Sequence, residues 1–122
     1  MGKSVLLIED EPNIIEAISF ILSRDGWSVS THSNGHDAVD VVLRNVPDLL
    51  ILDVMLPGKS GYDILRDLRE ADTTSNLPVL MLTARGQLKD REMAERVGAS
   101  RFMTKPFSNA EVLEAVRELV SS

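Results

Sequence analysis

Asp53 stands inside "LLILDVMLPG" (49–58), where four aliphatic residues run into a carboxylate and three more apolar residues follow before Pro57 and Gly58 make a turn. An acid leaving water without a partner is costly or shifts its pKa, so one placed here needs either a partner or a task. Other residues able to do chemistry end apolar runs in the same way. "VLLI" (5–8) leads into Glu9, Asp10 and Glu11, "PVLMLTA" (78–84) carries Thr83, and "RFM" (101–103) runs on into "TKPF", which holds Lys105. Each has an ordinary alternative: a solvated acid at the positive end of a helix, a strand-terminal cap, a helix cap or a surface amine. Gathered on one rim they have a common use. Asp10 and Asp53 side by side repel unless a cation intervenes. Oxygen-only ligands suit Mg²⁺, which takes one or two carboxylates, keeps several waters and leaves a position for a phosphoryl oxygen.

A fold that gathers them is legible in the hydropathy pattern. Strand character occurs at 5–8, 27–32, 48–53, 78–84 and 101–103. The first, third and fourth runs are continuously aliphatic, as in central strands covered on both faces. The second alternates Trp27, Val29 and Thr31 with polar residues, which suits a half-exposed edge. Helical stripes lie between them: Ile14, Ile18, Ile21 and Leu22; Val39, Val42, Leu43 and Val46; Ile64, Leu65 and Leu68. A weaker stripe has Leu88, Met93, Ala94 and Val97, and a clear last one has Val112, Ala115, Val116, Leu119 and Val120. Pro12 fits a first helical turn, and Ser108 with Glu111 three residues on fits a capping box. Strand and helix alternate five times, which predicts an α/β domain: a doubly wound parallel sheet with right-handed crossovers. Precedent makes its order flavodoxin-like, 2-1-3-4-5, with a ligand crevice beyond the carboxyl ends of the first and third strands. Those are the ends that carry Asp10 and Asp53.

Length and composition narrow the function classes. The 122 residues fit one domain, 1–122, able to bury a single core. No cysteine is present, which removes disulfides and thiolate metal sites. No apolar run approaches the ~20 residues of a membrane span, and the start "MGKSVLLIEDE" meets acid too early for a secretory signal. The expectation is a soluble, cytoplasmic domain. Thirteen basic against nineteen acidic residues give a formal charge of −6, which opposes direct nucleic-acid binding. His32, at the end of the edge strand, and His36 are expected as solvated imidazoles, and Trp27 as packing.

"LLIEDEP", "PDLLILDVMLPGKSGYDIL", "PVLMLTA" and "GASRFMTKPF", in that order and spacing, resemble the receiver domains of two-component response regulators over nearly the whole chain. This family is among the handful that illustrate the 2-1-3-4-5 order, so the order is carried over with it. The resemblance implies that Asp53 accepts a phosphoryl group from a phosphohistidine on a sensor histidine kinase or phosphotransfer protein. It implies that Asp10, Asp53 and the backbone carbonyl of Met55 ligate Mg²⁺, with Glu9 acting through water. Lys105 and the Thr83 hydroxyl, helped by the Ala84 amide, are implied as contacts to the phosphoryl oxygens, and Lys105-Pro106 as a cis peptide. The chain is then a phosphoacceptor that assists its own phosphorylation and dephosphorylation, not an enzyme.

The switch implied by the resemblance pairs Thr83 with Phe102, three residues before the lysine. Phe102 turns inward as Thr83 moves and reshapes the face of the fourth helix, fifth strand and fifth helix toward an output partner or effector domain. Without that role Phe102 is a fifth-strand residue, packed or exposed at an edge. Met55 and Arg85, two residues after Asp53 and Thr83, are expected to border the phosphoryl site and govern water access. A phosphorylation-dependent dimer is open, because Ser100-Arg101 and Ala115 replace the acidic pair and the arginine typical of the dimerising subclass. Other readings fit less well. A phosphatase of the haloacid dehalogenase type wants a second aspartate where Met55 stands, and a flavin phosphate wants a Gly/Ser-rich nest where "EDEPN" offers acids. A receiver that binds proteins independently of phosphorylation remains the alternative. The chain stops directly after the last helix, which leaves a stand-alone regulator and a module of a longer one both open.

Overall fold

In the computed structural model, which describes residues 3–84 and 88–120, strands and helices alternate. The order is β1 (Ser4–Ile8), α1 (Pro12–Arg24), β2 (Ser28–His32), α2 (Ala38–Arg44), β3 (Leu49–Asp53), α3 (Gly61–Glu70), β4 (Val79–Thr83), α4 (Leu88–Val97), β5 (Arg101–Thr104) and α5 (Asn109–Val120). The strands form one parallel sheet in the order β2-β1-β3-β4-β5. β3 and β4 are buried along their whole length, as continuous aliphatic runs require, whereas β2 lies at the edge with only Val29 and His32 partly covered.

Side-chain alternation divides the core in two. Leu6, Ile8, Leu50, Leu52, Val79 and Met81 face one way, against Ala38 and Val42 of α2, Ile64, Leu65 and Leu68 of α3, and Ala94 and Val97 of α4. Val5, Leu7, Leu49, Ile51, Leu80 and Leu82 face the other, against Ile18 and Leu22 of α1 and Val112, Ala115 and Val116 of α5. Each fully buried leucine or isoleucine contributes roughly 1.5–3 kcal/mol of transfer free energy.

The helix starts are set by their sequence. Pro12 occupies the first turn of α1. Ser60 caps α3 by accepting from the Asp63 amide at 3.2 Å. At α5 the Ser108 hydroxyl accepts from the Glu111 amide at 3.1 Å, and the Glu111 carboxylate accepts from the Ser108 amide at 3.2 Å. The second helix differs from its expected stripe. It stops at Arg44, leaving Val46 outside and both Leu43 and Val46 exposed, while Ala38 and Val42 make its core contacts. Pro47 explains the stop, because the residue before a proline is pushed out of the helical region. Leu88, at the start of α4, is exposed as well.

The register aligns the carboxyl ends. Ile8 pairs with His32, Ile8 with Leu52, Asp53 with Leu82, and Thr83 with Thr104. The residues that follow all these ends therefore share one rim.

Candidate phosphoryl and cation site

Glu9 directly follows β1 and is wholly buried. Its amide donates to the His32 carbonyl at 3.0 Å, continuing the sheet by one step. Its Oε2 accepts from the amides of Asp10 at 3.0 Å and Glu11 at 3.1 Å, so the carboxylate is folded back onto the turn into α1. Asp10 is exposed beside it, and Asp53, at the end of β3, is 1% exposed. Oxygens of Glu9, Asp10 and Asp53 lie within 4.8 Å of one another.

The loop after β3 must return past Asp53 into α3, and Gly61 allows it. A Cβ there would stand 2.3 Å from the Asp53 carbonyl oxygen and 2.9 Å from the Val54 Cα, closer than any side chain tolerates. The Gly61 amide donates to the Val54 carbonyl at 2.9 Å, which holds the start of α3 against the end of β3.

Lys105 comes from the opposite side of the rim. The Lys105-Pro106 peptide is cis, and the Lys105 amide donates to the Thr83 carbonyl at 2.7 Å. Its ammonium reaches three carboxylates: Nζ lies 2.9 Å from Glu9 Oε1, 3.1 Å from Glu11 Oε1 and 3.2 Å from Asp53 Oδ1. Proximity and alignment differ here, for Glu9 Oε1 and Asp53 Oδ1 are buried without a well-directed hydrogen bond. Two buried, under-satisfied carboxylate oxygens beside an exposed third acid fit a hard divalent cation such as Mg²⁺.

The electrostatics follow from burial. Desolvation pushes the Glu9 carboxyl up to about 7, opposed by Lys105 and the Glu11 amide and reinforced by the negative charge of Asp53. Burial pulls Lys105 down, but Glu9, Asp53 and Glu11 together outweigh it and hold the ammonium above its ordinary value. The amine therefore stays protonated throughout the neutral range.

Thr83 is 1% exposed at the end of β4, with Ala84 exposed next to it. Met55 projects into solvent two residues beyond Asp53, and Arg85 lies outside the described residues. Phe102 is opposite Met81 in β5, half-buried against the α2–α3–α4 side of the core. Thr83 follows Met81 by two residues, so alternation turns its side chain to that same side. Lys105 is thus brought into contact with Glu9 and Asp53 while Asp10 lies beside those two acids, Thr83 and Ala84 stand on the same rim, and Phe102 sits three residues back along β5 from Lys105.

Two contacts at the site had no signal of their own in the sequence. Glu11 binds Lys105 across 94 positions of chain; its place in the acid run pointed to the rim but not to that partner. His32, expected as solvated, is half-buried, and its Nε2 lies 2.7 Å from Asp37 Oδ1, an interaction that lowers the Asp37 carboxyl below the usual range. A cavity of about 510 Å³ adjoins Lys105 between α1 and the β5–α5 connection, with Ile14, Ile18, Ile21 and Phe107 in its wall.

Comparison with known proteins places these features in context. Residues 5–117 match the family model described as the response regulator receiver domain. The chain is 40% identical over 117 residues to the probable transcriptional regulatory protein TcrX of Mycobacterium tuberculosis, covering 96% of this chain and 49% of TcrX. It therefore spans about half the length of that relative. The receiver domain of sensor histidine kinase PA1611 from Pseudomonas aeruginosa, with a magnesium ion coordinated in its active-site cleft, superposes with a TM-score of 0.91 at 30% identity over the whole of both chains. The receiver domain of a signal transduction histidine kinase from Syntrophus aciditrophicus gives 0.90 at 31% identity, over 98% of this chain and 91% of that one.

Proposed function

The chain belongs to the response regulator receiver domains, and from that premise we propose that it is a signalling switch whose phosphoacceptor is Asp53. The observation that carries the reading is a buried carboxylate, Asp53, held 3.2 Å from the Lys105 ammonium inside a cluster of further acids. On this reading residues 1–122 form one receiver domain. It partners a sensor histidine kinase or phosphotransfer protein on one side and an output partner or effector domain on the other.

The proposed step forms one bond and breaks one. A carboxylate oxygen of Asp53 attacks the phosphorus of a phosphohistidine; the O–P bond forms as the P–N bond breaks, and the imidazole leaves with the electron pair and takes a proton from solvent. Asp10, Asp53 and the Met55 carbonyl would hold Mg²⁺, with Glu9 acting through water. Bound there, the ion supplies positive charge next to the oxygens of the transferring group. Lys105 would exchange a carboxylate partner for a phosphoryl oxygen, for which its permanent charge suits it. The Thr83 hydroxyl would donate to a second oxygen and the Ala84 amide would assist. Met55 and Arg85 would border the site and set water access, hence the lifetime of the acyl phosphate.

Thr83 drawn toward the phosphoryl group vacates space on the side of the sheet that holds Phe102. Phe102 then turns inward and the α4–β5–α5 face changes shape, which an output partner reads. The domain assists its own modification without turning over a separate substrate, so its role is that of a switch. The acidic net charge opposes direct contact with nucleic acid. Intact-mass measurement after incubation with acetyl phosphate tests the reading: one phosphoryl group should be gained with Mg²⁺, and none without it or in Asp53→Asn. No gain under any condition leaves two readings, a receiver strict for its kinase or the phosphorylation-independent interaction module.

A further inference from the structure

Arg91, on α4, places its guanidinium carbon 5.5 Å from the centroid of the Phe102 ring. Among the described residues it enters no ion pair, although Glu95 stands one helical turn further on. Its charge is therefore directed at the face of an aromatic ring, an interaction of electrostatic origin with the ring quadrupole. The two residues share a cleft of about 470 Å³ with Ala94, Ala99, Ser100 and Arg101, open on the α4–β5–α5 face. The other arginine of that cleft behaves differently: Arg101 Nη1 lies 2.6 Å from Glu118 Oε2, and Arg101 Nη2 3.9 Å from Glu114 Oε1.

We propose that Arg91 is a positioning residue that latches Phe102 in the conformation seen here, and so sets how much phosphoryl contact is needed to throw the switch. Phe102 has no hydroxyl with which to hold a partner, so ring packing and the cation above it are what fix its rotamer. An inward turn of the ring takes it out from under the guanidinium, and Arg91 must find water or Glu95 instead. That lost contact is a differential free energy between the two states, which is what a population shift requires. At an exposed site such a contact is worth a factor of about two to five in the equilibrium between the states. Removing it should move the unphosphorylated protein toward the switched state by that factor. The inference rests on the switch assigned to Thr83 and Phe102 above.

Beryllofluoride with Mg²⁺, added as a mimic of the phosphoryl group and followed by NMR at the Phe102 ring and the α4–β5 amides, separates the two ideas. The wild type fixes the end points. Arg91→Met keeps the aliphatic stem and deletes the charge, Arg91→Lys restores a cation, and Phe102→Leu removes the ring. The expected result is that free Arg91→Met resonances lie on the line between the wild-type end points, displaced toward the switched one. Half-conversion should then need about two- to five-fold less beryllofluoride, with Arg91→Lys in between. In a Phe102→Leu background, Arg91→Met should shift nothing further. If the wild type responds to beryllofluoride but Arg91→Met keeps wild-type positions and titration, the latch is wrong and the switch stands. If the wild-type Phe102 ring does not respond at all, the switch reading fails and takes the latch with it.

Discussion

Glu9 shows how a single side chain can set the conditions under which the site is comfortable. Its carboxyl sits near 7 when folded against 4.5 as a free residue, so folding favours its protonated form. A raised folded value contributes stability that is complete below the unfolded value and lost as pH rises through the folded one. The metal-free protein should therefore lose stability between about pH 4.5 and 7 through this group, and Glu9→Gln should flatten that slope in denaturant melts across the range. Asp53 bears on stability from the same cluster. It is one of three carboxylates sharing a single ammonium, so Asp53→Asn removes repulsion while Glu9 and Glu11 keep Lys105 paired. The variant should be more stable than the wild type by about 0.5–2 kcal/mol without metal, as read by chemical unfolding, while losing the proposed phosphoacceptor. Both residues were visible in the sequence as acids ending apolar runs. Lys105 was legible as an amine on the same rim, but its pairing with both of them came only from the structure.

Among the elements, the tight return from β3 into α3 is the one most dependent on a single position. Gly61→Ala would press a methyl group onto the Asp53 carbonyl and the Val54 Cα, both of them backbone, and the strand end would have to move. A loss of about 1–3 kcal/mol in unfolding free energy is expected, accompanied by NMR shifts at Val54 and the other rim amides. Nothing in the sequence marks this glycine as a point of contact, because the crowding comes from backbone seven or eight residues earlier. Capping was more legible, since Ser108 and Glu111 are near neighbours and their reciprocal bonds are local. The end of α2 could have been legible too. The stripe through Val46 follows helical spacing, but Pro47 removes the helical conformation from the residue carrying its last member.

At the scale of the whole molecule, alternation specified a parallel sheet with two covered faces, and the strand order carried over by precedent placed the rim where the acids meet. Contacts between long side chains of distant elements left no periodicity to read, which is why Arg91 over Phe102 and Arg101 beside Glu118 emerged only in the structure. The second of these bears on assembly. Arg101 is paired within its own chain with Glu118 and Glu114, and Ala115 is uncharged and buried in the core, so the acid and the arginine through which the dimerising subclass bridges two copies are both missing. Light scattering behind a sizing column should give the mass of one chain both with and without beryllofluoride and Mg²⁺; a doubled mass on activation would contradict this. The crowding of Glu9, Glu11 and Asp53 around one lysine, with Asp10 beside them, has a further consequence. A phosphoryl group brings roughly −1.5 to −2 charges and a divalent cation cancels most of them. Arming the rim is thus nearly electroneutral, and the far face feels little change in field. Whatever reaches that face must travel as displaced atoms, a mechanical message that added salt should leave almost unaltered.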